Sequence, residues 1–239
     1  MGSATAPRRL TLRLFGAPQI LVDDVAIGID TRKAVALLAY IAVSGSPQSR
    51  EVVSSLLWPE YDAAHAGAAL RRTLSVTRAA LGGRWLLPAG RLLELEMRDL
   101  RCDVSEFRTA LATVREHHRP DFEAGAVLCD KCRRRLVRAV DLQRGAFLEG
   151  FSLRDSLEFD DWQIATATEL RAELADALQR LTDAAAASGR LDAALRHARR
   201  WLALDPLHEP AHRHLMELHA AAGDRAAALR QYRECVRVL

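Results

Sequence analysis

Residues 63–97 read AAHAGAALRRTLSVTRAALGGRWLLPAGRLLELEM, and this stretch carries Arg71, Arg72, Arg78, Arg84 and Arg91 with no carboxylate between Asp62 and Glu94. A soluble chain normally mixes both signs at about one charged residue in four. A segment stripped of acids is an anion-binding footprint, and phosphate is the anion it fits best. Within it Leu70, Leu74, Thr77 and Leu81 recur at the spacing of one buried helical stripe, which predicts a helix over about Ala64 to Leu81. At about 100° per residue, Arg71, Ser75 and Arg78 share one flank of that helix, while Arg72 and Ala68 point away from the stripe. Ala64, Ala68 and Ala69 keep the outer face low, as entry into a major groove about 12 Å wide requires. Gly82-Gly83 ends the helix. Trp85-Leu86-Leu87, the turn Pro88-Ala89-Gly90-Arg91 and the strand from Leu92 to Met97 then read as a hairpin with an arginine at its tip.

Upstream, Arg50 to Leu57 shows Val52, Val53, Leu56 and Leu57 at helical spacing, with Ser49 as N-cap and Trp58-Pro59 as terminator. Before it, a helix from Arg32 to Val43 buries a broad face including Val35, Leu37, Leu38, Ile41 and Ala42, begins after Asp30-Thr31 and stops at Ser44-Gly45-Ser46-Pro47. Leu10, Leu12 and Leu14 alternate with Thr11 and Arg13 as a strand, and Gln19 to Val22 and Val25 to Ile29 flank Asp23-Asp24 as a strand meander. A meander, three helices and a basic-tipped hairpin follow the order of a winged helix-turn-helix, in which the third helix reads the groove and the wing touches the backbone. Arg71, Arg72, Ser75 and Arg78 are accordingly predicted to face the groove of double-stranded DNA, and Arg32, Ser49, Arg50 and Arg91 to contact phosphates. Arg32-Lys33 opposes the dipole of its helix by a few tenths of a kcal/mol. A second role for that pair is implied, and phosphate is a natural one. The bland alternative is a surface helix whose arginines only keep the chain soluble.

Beyond Asp103 the pattern is helical. Gly189 to Leu195 (GRLDAAL) is echoed by Gly223 to Leu229 (GDRAAAL), a separation of about 34 residues that matches the tetratricopeptide period. Leu215, Ala228 and Tyr232 fall at packing positions of such a repeat, and His212 stands where an aromatic is expected. A helix over about Phe159 to Ala187 supplies the preceding half-unit. Stacked helix pairs bind partners rather than catalyse. The expected fold class is therefore mainly α: a disordered N-terminus over 1–9, a winged helix over 10–100, and an all-α repeat domain over 101–239.

The 239 residues carry a net charge of only +3, so the argument rests on where the charge sits, and with Lys33 and Lys131 as the only lysines the basic character is arginine. Residues Leu10 to Val22 are too interrupted for a signal peptide. The longest apolar candidate, Ala34 to Val43, is far short of the roughly 20 residues a spanning helix needs. A cytoplasmic protein with no membrane partner is expected. No nucleophile with a credible base is recognisable, and Glu158, Asp160 and Asp161 read as helix-start carboxylates, so no enzyme is expected. No Gly-rich Lys-Ser/Thr phosphate loop is present.

In such a setting Cys102, Cys129, Cys132 and Cys235 are thiols or metal ligands rather than a disulfide framework. Cys129-Asp130-Lys131-Cys132 has zinc-ligand spacing, and His117-His118 precede it. The segment Arg119 to Val127 between them reads as a loop that a metal would pin. A structural Zn²⁺ is the one cofactor the sequence suggests. Two thiols beside exposed histidines are the alternative, and Cys235 reads as core.

Several of these stretches together resemble the Streptomyces antibiotic regulatory protein family, in which a bacterial transcriptional activator domain follows an OmpR-like DNA-binding domain. They are Leu12 to Gly16, Thr31 to Tyr40, Ser49-Arg50-Glu51, Leu56 to Pro59, Leu70 to Ser75, and Asp103-Val104 with Phe107. Phe147 to Phe151 and Trp162 look like the start of the activator-domain core, and Trp201 to Pro210 like its repeat junction. The chain departs from the family at Ala68 and Ala69, where an asparagine is common, and at Val76-Thr77-Arg78. The resemblance implies a transcription activator that binds promoter repeats, often as two protomers side by side, and recruits RNA polymerase holoenzyme. It also implies a chain that continues past Leu239. The competing expectation is a repeat-based sensor or adaptor whose winged helix does not bind DNA specifically.

Overall fold

The structure, a computed structural model, describes residues 8–29, 31–118 and 128–239. Residues 1–7 of the expected N-terminal tail, Asp30 at the expected helix boundary, and 119–127 of the expected loop lie outside that range. In chain order the elements are β1 (Leu10–Arg13), β2 (Gln19–Val22), β3 (Val25–Ala26), α1 (Arg32–Ser44), β4 (Gln48–Ser49), α2 (Arg50–Leu57), α3 (Ala63–Ala80), β5 (Leu86–Ala89), β6 (Leu92–Leu95), β7 (Leu100–Cys102), α4 (Asp103–His117), α5 (Asp130–Val140), α6 (Leu157–Ala187), α7 (Leu191–Leu204), α8 (Glu209–Ala221) and α9 (Arg225–Val238). This is the mainly α architecture expected, with the meander and winged helix ahead of helical repeats. No helix among the described residues is long and apolar enough to cross a membrane.

Two compact units result, one from residues 1–108 with 142–167, the other from 109–141 with 168–239. In the first, β1 alternates as its sequence requires, with Leu10 and Leu12 buried and Thr11 and Arg13 half-buried. Asp23 and Asp24, at φ 53° and 64°, form the two-residue turn between β2 and β3, the backbone a tight hairpin demands. The sheet order is β3-β2-β1-β7, and the β1–β7 pair is parallel. At the end of β1 the buried Asp103 carboxylate accepts the backbone N–H groups of Leu14 (2.8 and 2.9 Å), Phe15 (3.0 Å) and Val104 (2.9 Å). Burial pushes its pKa up, against the downward pull of these bonds. Phe107, on the next turn of α4, meets Phe15 edge to face at 5.7 Å.

Helices α1 to α3 each begin on a side-chain cap, of which Ser49 is the one expected from the sequence. Thr31, Ser49 and Asp62 each accept a backbone N–H from the first turn of the helix that follows, and Gly45, at φ 64°, ends α1. The stripe Leu70, Leu74, Thr77 and Leu81 is buried, joined by Ala66 and Thr73. Segment 142–167 closes this unit. Phe15 bridges Phe147, and Trp162 packs against Tyr40 (5.1 Å), Phe147 (5.8 Å) and Phe159 (5.2 Å). The aromatic run expected to open the activator-domain core thus completes the core beneath the winged helix.

In the second unit α7 packs on α8 and α8 on α9, with Ala194, Leu195, Ala198, Leu215 and Leu218 in a core of small and branched side chains. His212, in the aromatic position of the repeat, is buried. One ring nitrogen contacts the Pro206 carbonyl at 2.9 Å and the other the Gln231 amide at 2.6 Å, so both polar atoms are satisfied in a place built for an apolar ring. Tyr232, expected to pack, is 55 % exposed together with Leu229 and Val236 on one face of α9, and no described residue covers that face.

Candidate nucleic-acid interface

Three separate elements bring the basic side chains of the first unit together. Arg71, Ser75 and Arg78 project from one flank of α3, and Arg50 opens α2. The wing, β5–β6, turns through Gly90 (φ 63°) and Arg91, which puts Arg91 at its tip. A cavity of about 380 Å³ lies among them, lined by Arg50, Arg71, Ser75 and Arg78 around Leu74, Leu86 and Leu93. Its polar wall is therefore cationic and its floor apolar. An apolar floor lowers the local dielectric, so an anion there feels the guanidinium groups more strongly than on an open surface.

The wing is fastened to the start of α2. Gln48-Ser49 pairs antiparallel with Leu92-Leu93. The Arg50 backbone N–H donates to the Arg91 carbonyl at 2.9 Å, and its Nε donates to the Gly90 carbonyl at 3.0 Å. Ser49, Arg50 and Arg91 thus occupy one locus, with Ser49 Oγ also accepting the Val52 N–H at 3.1 Å. On α3, Arg71, Arg72 and Ser75 are exposed, and Arg78 is half-buried. None of Arg71, Arg72, Arg78 and Arg91 is ion-paired among the described residues. The Arg71 guanidinium lies back along the helix toward Gly67, 3.6 Å from where a Cβ there would stand, an ordinary van der Waals distance.

Two basic residues of the first unit are engaged differently. Arg84 lies over the Trp85 ring at 5.1 Å and faces Asp99 at 3.8 Å. Arg32, expected from the sequence as a phosphate contact, places its guanidinium 4.6 Å from the Phe151 ring centroid and donates from Nε to the Ser152 carbonyl at 2.9 Å. Its neighbour Lys33 donates to the Leu57 carbonyl and pairs with Asp155 at 3.0 Å. The unfavourable dipole position of this pair is thereby offset by contacts to segment 142–167.

In the second unit His117, His118, Cys129 and Cys132 come together, their ligand atoms all within 4.8 Å of one another. The Cys129 thiol is held below its ordinary pKa, chiefly by the backbone N–H of Cys132, while burial pushes Cys132 up.

A winged helix with a cationic, unpaired α3 face, ahead of stacked helix pairs, defines a two-part regulator architecture. Residues 102–239 match the family model of the bacterial transcriptional activator domain, and the chain belongs to that family, one of transcriptional regulators and not of enzymes. The transcriptional regulatory protein EmbR of Mycobacterium tuberculosis, and that of Mycobacterium bovis, are 29% identical to it over 161 residues, covering 64% of this chain and 39% of the relative. The chain therefore aligns with about two-fifths of the length of these curated relatives. The solved structure of Mycobacterium tuberculosis EmbR in complex with a low affinity phosphopeptide superposes with a TM-score of 0.69 at 23% identity, over 96% of this chain and 59% of that one. The fold read from the sequence motifs is the fold these comparisons share.

Proposed function

We propose that this chain is a DNA-binding transcription activator whose α3 enters the major groove of promoter DNA. Arg71, Arg72, Ser75 and Arg78 face the groove, and Ser49, Arg50 and Arg91 contact the flanking phosphates. Arg32, held over Phe151, serves the packing of segment 142–167 instead. The observation that carries this reading is the convergence of Arg50, Arg71 and Arg78 on one apolar-floored cavity between helix and wing. A cluster of like charges is unfavourable until an anion neutralises it, and duplex DNA supplies anions in a row. The helical repeats would then engage RNA polymerase holoenzyme, with two protomers side by side on repeated half-sites.

Anisotropy titration of the chain against promoter-derived and random duplexes at two salt concentrations tests this. Salt-sensitive, sequence-preferring binding supports it, and no binding to any duplex at low salt overturns it. That second outcome would favour a helical-repeat module serving a protein partner, to which the exposed Leu229, Tyr232 and Val236 of α9 would be open.

A further inference from the structure

His117 is the last residue of α4, and His118 follows it, its backbone N–H donating to the Val114 carbonyl. Cys129 is the N-cap of α5, and Cys132 lies in the first turn, its N–H 3.5 Å from Cys129 Sγ. One thiol before a helix and one a turn inside it point the same way, toward the end of α4. His117 Nδ1 lies 3.8 Å from Cys129 Sγ and 3.4 Å from Cys132 Sγ. With Zn–S near 2.3 Å and Zn–N near 2.0–2.1 Å, a tetrahedron has sulfur–nitrogen edges of about 3.5 Å. The two distances bracket that edge.

His118 supplies a second, independent observation. Its ring lies 5.0 Å from that of His117, and its Nε2 is buried with no hydrogen-bond partner among the described residues. Buried polar nitrogens are nearly always satisfied, so an orphan beside two thiols and a second imidazole points to a ligand shared by all four side chains. Asp130, the carboxylate inside the motif, pairs with Arg133 at 3.0 Å, which leaves two sulfurs and two nitrogens as the donor set. Soft sulfur with imidazole in fourfold array selects zinc over calcium or magnesium, and four protein ligands leave no open position for catalysis.

We propose that His117, His118, Cys129 and Cys132 form a structural zinc site that clamps the C-terminal end of α4 to the N-terminal end of α5. The largest ligand separation, at most 4.8 Å, exceeds the about 3.8 Å sulfur–sulfur edge of a zinc tetrahedron by about 1 Å, a gap that side-chain rotation closes. Binding expels one proton from each thiol, so two thiolates balance the charge of the ion and affinity rises with pH.

The test uses the whole chain purified under reducing conditions, with its metal content measured by plasma mass spectrometry. Metal-stripped protein is also titrated with Co²⁺ and followed by absorption. The proposal expects about one zinc per chain, an intense tetrahedral Co²⁺ spectrum with thiolate charge transfer, and loss of both in the C129S/C132S variant. Wild-type protein with neither zinc nor a tetrahedral Co²⁺ spectrum overturns it. So does zinc retained by the double variant. Because the wild-type spectrum decides by itself, a poorly folded variant does not blunt the test, and no arm depends on DNA binding.

Discussion

Replacing Arg71 and Arg78 together with alanine isolates the electrostatic part of the proposed interface. Arg50, Arg71, Arg72, Arg78 and Arg91 make up its cationic set, and because a guanidinium lying in the groove displaces condensed counterions as one beside a phosphate does, five such charges give log K against log salt a slope of about −4.5. Between 50 and 200 mM salt, wild-type affinity then falls about 500-fold, whereas the R71A/R78A variant, with a slope of about −2.7, falls only about 40-fold. Neither change should disturb the fold, because Leu70, Leu74 and Thr77 carry the buried side of α3, Arg71 is exposed and Arg78 is only half-buried, and substitutions away from the core shift stability by about 0.5 kcal/mol or less. Arg84→Ala is the internal control. Its guanidinium is already committed to Trp85 and Asp99, so its loss should leave the slope near the wild-type value. Anisotropy titrations across a salt series, with circular dichroism melts of each variant, give all the required numbers. Equal slopes for wild type and R71A/R78A would refute the assignment, and so would an R84A slope reduced as much as that of a groove arginine.

Asp103→Ala strands the N–H groups of Leu14, Phe15 and Val104 in a buried place, and a loss of about 3 kcal/mol or more in urea denaturation is expected. Burial, with Arg200 and Arg196 nearby, holds the His197 imidazole below its ordinary value of 6.5. The unfolded chain therefore takes up a proton near that pH which the folded chain accepts only lower. The His197 contribution to stability is thus intact above about pH 6.5 and is lost as pH falls below it, and His197→Gln should flatten that part of a melting-temperature profile. A fragment ending at residue 100 lacks β7, Asp103, Phe107 and Trp162, so it should melt far below a fragment ending at residue 167; equal melting would refute the role given to segment 142–167.

What the sequence disclosed and what it hid divide along contact range. The α3 stripe, the helix boundary at Thr31, the cap at Ser49 and the glycine-closed wing all follow from rules acting over a few residues, and the structure places them within a residue or two of expectation. The β4–β6 pairing left no such trace, because Gln48-Ser49 is too short to show a period. Nor did the parallel β1–β7 pair, whose strands lie some ninety residues apart in the chain. The placement of Arg32 shows the same limit. Its position at a helix start signalled that an electron-rich partner was needed, and charge pattern by itself does not distinguish a phosphate from the face of Phe151. In the cysteine cluster, spacing announced the two thiols, but the meeting of the His117 and His118 rings depends on how α4 ends.

The long-range ties bear directly on recognition. Side chains gathered from a helix flank, a helix start and a hairpin tip would lose much of their binding energy if they had to be ordered on the DNA. Here Ser49 both caps α2 and pairs with Leu92, and Arg50 holds the Gly90 and Arg91 carbonyls. Helix α1 is anchored in turn through Arg32, Lys33 and Tyr40 to segment 142–167. The frame that positions the arginines proposed to face the groove is thus set during folding, by residues on both sides of α5 in the chain. Substitutions far from the arginines, at Asp103 or Trp162, should therefore weaken DNA binding through the frame while leaving the salt slope of the remaining folded protein unchanged.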